Sequence, residues 1–118
     1  MRHALHALGR LKAGTMNKTE ARYEAEVLAP LLQAKEILWY RFEGIKLRLA
    51  DNTFLTVDFP MMRADGLLVM VDVKGAPGVI TEDARVKMKV AADQYPFAFR
   101  FAWPLPRKQG GGWGGEEL

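Results

Sequence analysis

Two residue types are missing from this chain of 118 residues, cysteine and serine. Without cysteine there are no disulfides and no thiolate metal ligands, which suits a reducing cytoplasm. With histidine confined to His3 and His6, Ser-His-Asp and Cys-His hydrolases are excluded. A zinc site would have to be built from carboxylates or from that one histidine pair. No apolar run approaches the roughly 20 residues needed to cross a bilayer. The N-terminus shows no long apolar segment and no small-residue cleavage pattern, so neither a secretory signal nor membrane association is expected. Any chemistry therefore falls to Asp, Glu, Lys, Arg, Tyr and Thr.

The length fits one domain with one modest core. A hydrophobic share of 49% and a charged share of 26% are those of an ordinary folded protein. The net charge of +3 and the pI of 9.3 favour an anionic partner. The charge is unevenly placed. Residues 1–18 hold Arg2, Arg10, Lys12 and Lys18 and no acid, while Glu20, Glu24 and Glu26 follow at once. Residues 1–14 read as a basic arm, residues 15–104 as the folded domain, and residues 105–118, rich in Gly, Pro, Lys and Arg, as a flexible tail.

Within the domain, Asn17 or Thr19 is the expected N-cap of a first helix. Its apolar positions Tyr23, Val27, Leu28, Leu31 and Leu32 carry it to about Ala34. Pro30 predicts a kink or an early end near Ala29. Glu20 and Glu24, four apart, share a face. Strands are expected at Ile37–Phe42, Ile45–Leu49 and Phe54–Phe59, the last two as a hairpin about Asp51-Asn52, with Pro60 ending the third. Leu67–Val73 is nearly all apolar, as in a central strand covered on both faces. Thr81-Glu82-Asp83 opens a second helix that ends before Pro96. Phe97–Trp103 then returns as a strand parallel to the Val71 strand through a right-handed crossover. The sum is an α/β sandwich, a mixed sheet of about four to five strands flanked by two helices. Most strand aromatics are assigned to the core or an interface, and Trp113 stands alone in the tail.

Asp72 and Lys74 lie two apart on the apolar strand Val71-Asp72-Val73-Lys74, so they project from the same face. Asp58 closes the preceding strand. Charges among so many apolar residues need partners. Two carboxylates at neighbouring strand ends can share a hard divalent cation such as magnesium, with the Val73 carbonyl as a further oxygen ligand. Lys74 would orient or deprotonate a water and offset phosphate charge, and Glu20 would complete the cluster. The plain alternative is a polar strand end with an ordinary Asp–Lys pair. Gly75, next in line, suits either an unusual turn or a close approach of backbone to a ligand.

An Asp after a hydrophobic residue, a gap of about a dozen residues and then Asp-x-Lys resembles the PD-(D/E)XK nuclease superfamily, with Val57 where that motif often has proline. The ordered set Asn17-Lys18-Thr19-Glu20, Asp58-Phe59, Asp65-Gly66, Asp72-Val73-Lys74-Gly75 and Lys87-Met88-Lys89-Val90-Ala91-Ala92 with Tyr95-Pro96 looks like a family of small phage and prophage proteins long catalogued as a domain of unknown function. The likeness spans about Lys12 to Trp103. It implies a restriction-endonuclease-like core and cleavage of DNA with Mg2+ or Mn2+. Position by position it makes Glu20, Asp58, Asp72 and Lys74 the catalytic set, with Glu24 as the alternative helix acid. It also implies action in the cytoplasm of a bacterial host. So small a core points to branched DNA, such as a Holliday junction, and likeness to the small junction-resolving members of the superfamily implies a homodimer, because two symmetric cuts need two sites. The DNA-binding candidates are Lys12, Lys18, Lys87 and Gln94, the last two on one helix face, with Arg85 and Lys89 as an outward basic stripe. Thr15 and Thr19 are lesser phosphate candidates. An RNA substrate stays open, as does an inactive DNA-binding or assembly protein on the same fold.

Overall fold

The computed structural model describes residues 14–118. Lys12 and the rest of the expected basic arm up to residue 13 lie outside the described residues.

Asn17, not Thr19, caps the first helix. Its side chain accepts from the Glu20 N–H at 2.8 Å, and the Glu20 carboxylate accepts from the Asn17 N–H at 2.8 Å. This reciprocal capping box satisfies two free amides and fixes the Glu20 side chain. Helix α1 (Lys18–Tyr23) runs through a π-helical turn (Glu24–Leu28) into α2 (Ala29–Gln33), forming one rod. Of the kink or early end expected near Ala29, the end does not occur, and the irregularity is the π-helical turn just before it. The Ala29 N–H reaches back five residues to the Glu24 carbonyl, and this wide turn just before Pro30 accommodates the missing N–H and the bulk of its ring.

The main sheet has five strands in the order β1-β4-β5-β6-β7, and β2 and β3 form a separate two-stranded sheet. The strands are β1 (Ile37–Tyr40), β2 (Lys46–Ala50), β3 (Thr53–Thr56), β4 (Phe59–Arg63), β5 (Leu68–Val73), β6 (Ala98–Pro104) and β7 (Trp113–Glu117). The expected third strand is thus two strands. The chain leaves the hairpin at Val57, turns at Asp58 and enters the main sheet at Phe59. Val57 packs with the hairpin, whereas Phe59 packs on the opposite face. Pro60 does not end a strand but lies inside β4. Its carbonyl accepts from the Arg41 N–H at 3.3 Å, so its ring nitrogen faces the same side, where β1 has already stopped at Tyr40 and no bond is lost.

As the continuous apolar run predicts, β5 is covered on both faces. Val69, Val71 and Val73 join Tyr23 and Leu28 of the rod, together with Phe59 and Met61. Met70 joins Phe99, Phe101 and the hairpin residues Leu47 and Leu49, beneath Met88 and Ala91 of α3 (Glu82–Gln94). Each such buried side chain contributes about 1.5–3 kcal/mol. Strand β6 lies parallel to β5 after the α3 crossover, and the other pairings of the main sheet are antiparallel.

The glycine-rich tail forms an edge strand rather than a mobile extension. Strand β7 pairs with β6 from Arg100–Glu117 to Pro104–Trp113. A Cβ on Gly114 would stand 2.8 Å from Trp103 Nε1, and one on Gly115 would stand 2.8 Å from the Phe101 carbonyl. The glycines thus serve close packing. Trp113 docks on the rod of its own chain, edge-on to Tyr23 at 5.0 Å and donating to Glu26 at 3.1 Å. No helix among the described residues is long and apolar enough to cross a membrane.

Candidate functional site

The break between Val57 and Phe59 places Asp58 beside the C-terminal end of β5. Its Oδ2 accepts from the Val73 N–H at 2.8 Å, and its own N–H donates to Asp72 Oδ1 at 3.2 Å. Each aspartate therefore receives the other strand's backbone. Lys74 Nζ lies 3.1 Å from Asp72 Oδ2, both side chains being largely buried. Glu20, on the rod, stands near enough to act on the Asp58 carboxyl. Asp58, Asp72 and Lys74 thus meet, with Glu20 at their side. Glu24 does not join them, because its carboxylate accepts from the Tyr40 hydroxyl at 3.0 Å.

Burial, then the charge of Asp72, pushes the Asp58 carboxyl up to about 9; the Val73 N–H pulls the other way, and Glu20 raises it further. Asp58 therefore holds a proton at neutral pH. Carboxyls crowded in this way, with one ammonium among them, form an environment that a cation would relieve.

The donors are all oxygen, which suits a hard divalent ion. Among the described residues, however, no three His, Asp or Glu side chains are arranged as a metal-binding group. The hydrogen bonds account for this. Backbone N–H groups occupy one oxygen each of Asp58, Asp72 and Glu20, and Lys74 occupies the second oxygen of Asp72. Binding a metal would require Asp58 to lose its proton and Lys74 to release Asp72.

The nucleic-acid candidates scatter. Lys18 opens α1 and is exposed, and Lys89 is exposed on α3. Lys87 and Gln94 share a helix face, but that face meets the hairpin: Lys87 lies 3.4 Å from the Phe54 carbonyl and Gln94 donates to the Leu49 carbonyl at 3.0 Å. Arg85 is not part of an outward stripe. It pairs with Glu116 of β7 and lies 5.9 Å over the Phe101 ring. Gly75 has no positive φ, and a Cβ there would meet nothing within 4 Å, so no unusual turn requires it.

Sequence reasoning missed the mutual grip of Asp58 and Asp72, which depends on the strand break. It also missed Arg100, whose buried Nε has no hydrogen-bond partner and lies 3.6 Å from Glu117. The Asn17-x-x-Glu20 spacing was a legible capping-box signal for how Glu20 is held. No family model, curated protein or solved structure matches the chain.

Proposed function

We propose that this chain is a Mg2+- or Mn2+-dependent endonuclease that hydrolyses DNA phosphodiester bonds. It acts on branched DNA such as a Holliday junction, as a homodimer, in the cytoplasm of a phage-bearing bacterial cell. The observation that carries the proposal is the convergence of Asp58, Asp72, Lys74 and Glu20 at the end of β5, with Asp58 holding its proton under the pressure of neighbouring carboxyls. Asp58 and Asp72 would be the direct oxygen ligands, supported by Glu20 and the Val73 carbonyl. A cation held there would supply positive charge against the phosphate. Lys74, released from Asp72, would turn its ammonium to the phosphate and the water that attacks it. Lys18 and Lys89 bind backbone phosphates without reading sequence.

Purified protein is incubated with four-way junction, flap, single-stranded and linear duplex DNA, in magnesium, manganese or chelator. The expected result is metal-dependent cleavage with the junction preferred. Lys74→Ala should lower the cleavage rate by about 100-fold or more while leaving the circular dichroism spectrum unchanged. Failure of every substrate under every metal, with the fold verified, removes the proposal.

A second reading has an observation of its own. The pairing of Lys74 with Asp72 and the lack of a preassembled metal group favour an inactive DNA-binding or assembly protein. In that case calorimetry detects no metal binding, and Asp72→Ala binds junction DNA as tightly as the unaltered chain.

A further inference from the structure

Strand β1 is an edge of the main sheet, and its side chains do not alternate. Ile37 is buried and Tyr40 half-buried beneath the rod, yet Leu38 and Trp39 between them are both exposed, at 60% and 37%. The register shift against β4 between Ile37 and Trp39 explains the pattern. A bulge inserts one residue and leaves two consecutive side chains on one face. That face presents two large apolar groups on a strand that has no partner on its outer side among the described residues.

The backbone shares this arrangement. The Glu36 carbonyl accepts from the Ala64 N–H at 3.0 Å and the Arg41 N–H donates to the Pro60 carbonyl, so both residues direct these groups into the sheet. Alternation then turns the backbone groups of Ile37 and Tyr40 to the open edge. In a regular strand, outward residues stand two apart and a two-fold axis must fall on a residue. Here they stand three apart, and the axis falls between Leu38 and Trp39. About that axis Ile37 meets Tyr40 of a second copy, Leu38 meets its Trp39, and Glu36 meets its Arg41. Glu36 and Arg41 are exposed and take part in no ion pair among the described residues. The opposite edge, β7, instead carries Glu116 and Glu117, whose charges are taken up by Arg85 and Arg100 of the same chain.

We propose that β1 pairs antiparallel with β1 of a second copy, joining two five-stranded sheets into one. Hydrogen bonds between the paired backbones give affinity, the Leu38 and Trp39 side chains form one apolar cluster, and two Glu36–Arg41 pairs fix the register. This assigns a surface to the dimer proposed above, but it is carried by the edge strand and not by catalysis.

Analytical ultracentrifugation of the full chain tests it. The unaltered protein should sediment as a dimer that dissociates on dilution, and Leu38→Lys should weaken it by at least about tenfold. Glu36→Arg and Arg41→Glu should each be monomeric, because like charges then face one another. Mixing those two variants should restore a dimer, since both contacts then unite opposite charges, and the doubly exchanged Glu36→Arg/Arg41→Glu protein should dimerise alone. Circular dichroism verifies that each variant is folded. A monomer at every concentration overturns the proposal, whether the edge is bare or covered by residues 1–13 of the same chain. A dimer indifferent to all these exchanges also overturns it, because its interface then lies elsewhere. Cleavage activity has no bearing on either outcome, so an inactive dimer of this kind removes only the nuclease proposal.

Discussion

Asp58 titrates at about 9 in the fold, against 3.8 for a free carboxyl. Between those values the folded chain holds a proton that the unfolded chain has lost. The stability this group provides is therefore complete below about pH 4 and falls as pH rises toward about 9. Asp58→Asn, which keeps the shape and an acceptor for the Val73 N–H, should flatten that dependence. Urea unfolding should find the variant more stable than the unaltered protein near pH 8 by several kcal/mol, with the gap closing near pH 4. Parallel profiles would show that Asp58 is not protonated in the fold. The same proton opposes a cation, so magnesium affinity should fall as pH is lowered. Calorimetry in two buffers of different ionisation enthalpy should record about one proton released per ion bound near pH 7.

Among the elements, those governed by one strand's own pattern were legible in the sequence. The apolar run of Val69, Val71 and Val73 announced a buried β5, and the two-residue spacing of Asp72 and Lys74 placed them on one face. Elements that depend on a partner were not. Pro60 sits in a strand only because β1 stops beside it, and Gln94 is spent on Leu49 because the hairpin packs where it does. The tail misled because glycine signals mobility in isolation but close approach once Trp103 and Arg100 lie across it. Gly115→Ala should accordingly cost about 1–3 kcal/mol by urea unfolding, the range for forcing a methyl group into a filled space. A truly mobile tail would absorb the change without effect. The Asn17-Lys18-Thr19-Glu20 run favours Glu20 over Glu24, but the contact that takes Glu24 to Tyr40 was not legible there.

The whole molecule carries a net charge of +3, and the Lys74 ammonium in its centre is already paired with Asp72. Under the proposed function, affinity for DNA should come from scattered surface lysines rather than from the carboxylate cluster, and should fall steeply with salt. The slope of log affinity against log salt changes by about 0.9 for each phosphate contact removed. Lys18→Ala and Lys89→Ala should each lower the slope by about that amount, equally for every DNA sequence, as fluorescence anisotropy would measure. An unchanged slope in both variants would remove them from the interface.

The π turn ahead of Pro30 also acts as an angular setting. Each helical residue advances the chain by about 100°, so the wide turn sets the phase of everything before it relative to the apolar stripe after it. Deleting Ala25 from Glu24–Leu28 would remove the residue that the wide turn absorbs and return the rod to ordinary α-helical winding, with Tyr23 still under Trp113 and Glu20 still beside Asp58. A residue inserted at the same place would instead turn the first helical turn by about 100° against the core and swing Glu20 away from Asp58. The rod is thus a dial on the carboxylate cluster that changes no member of it.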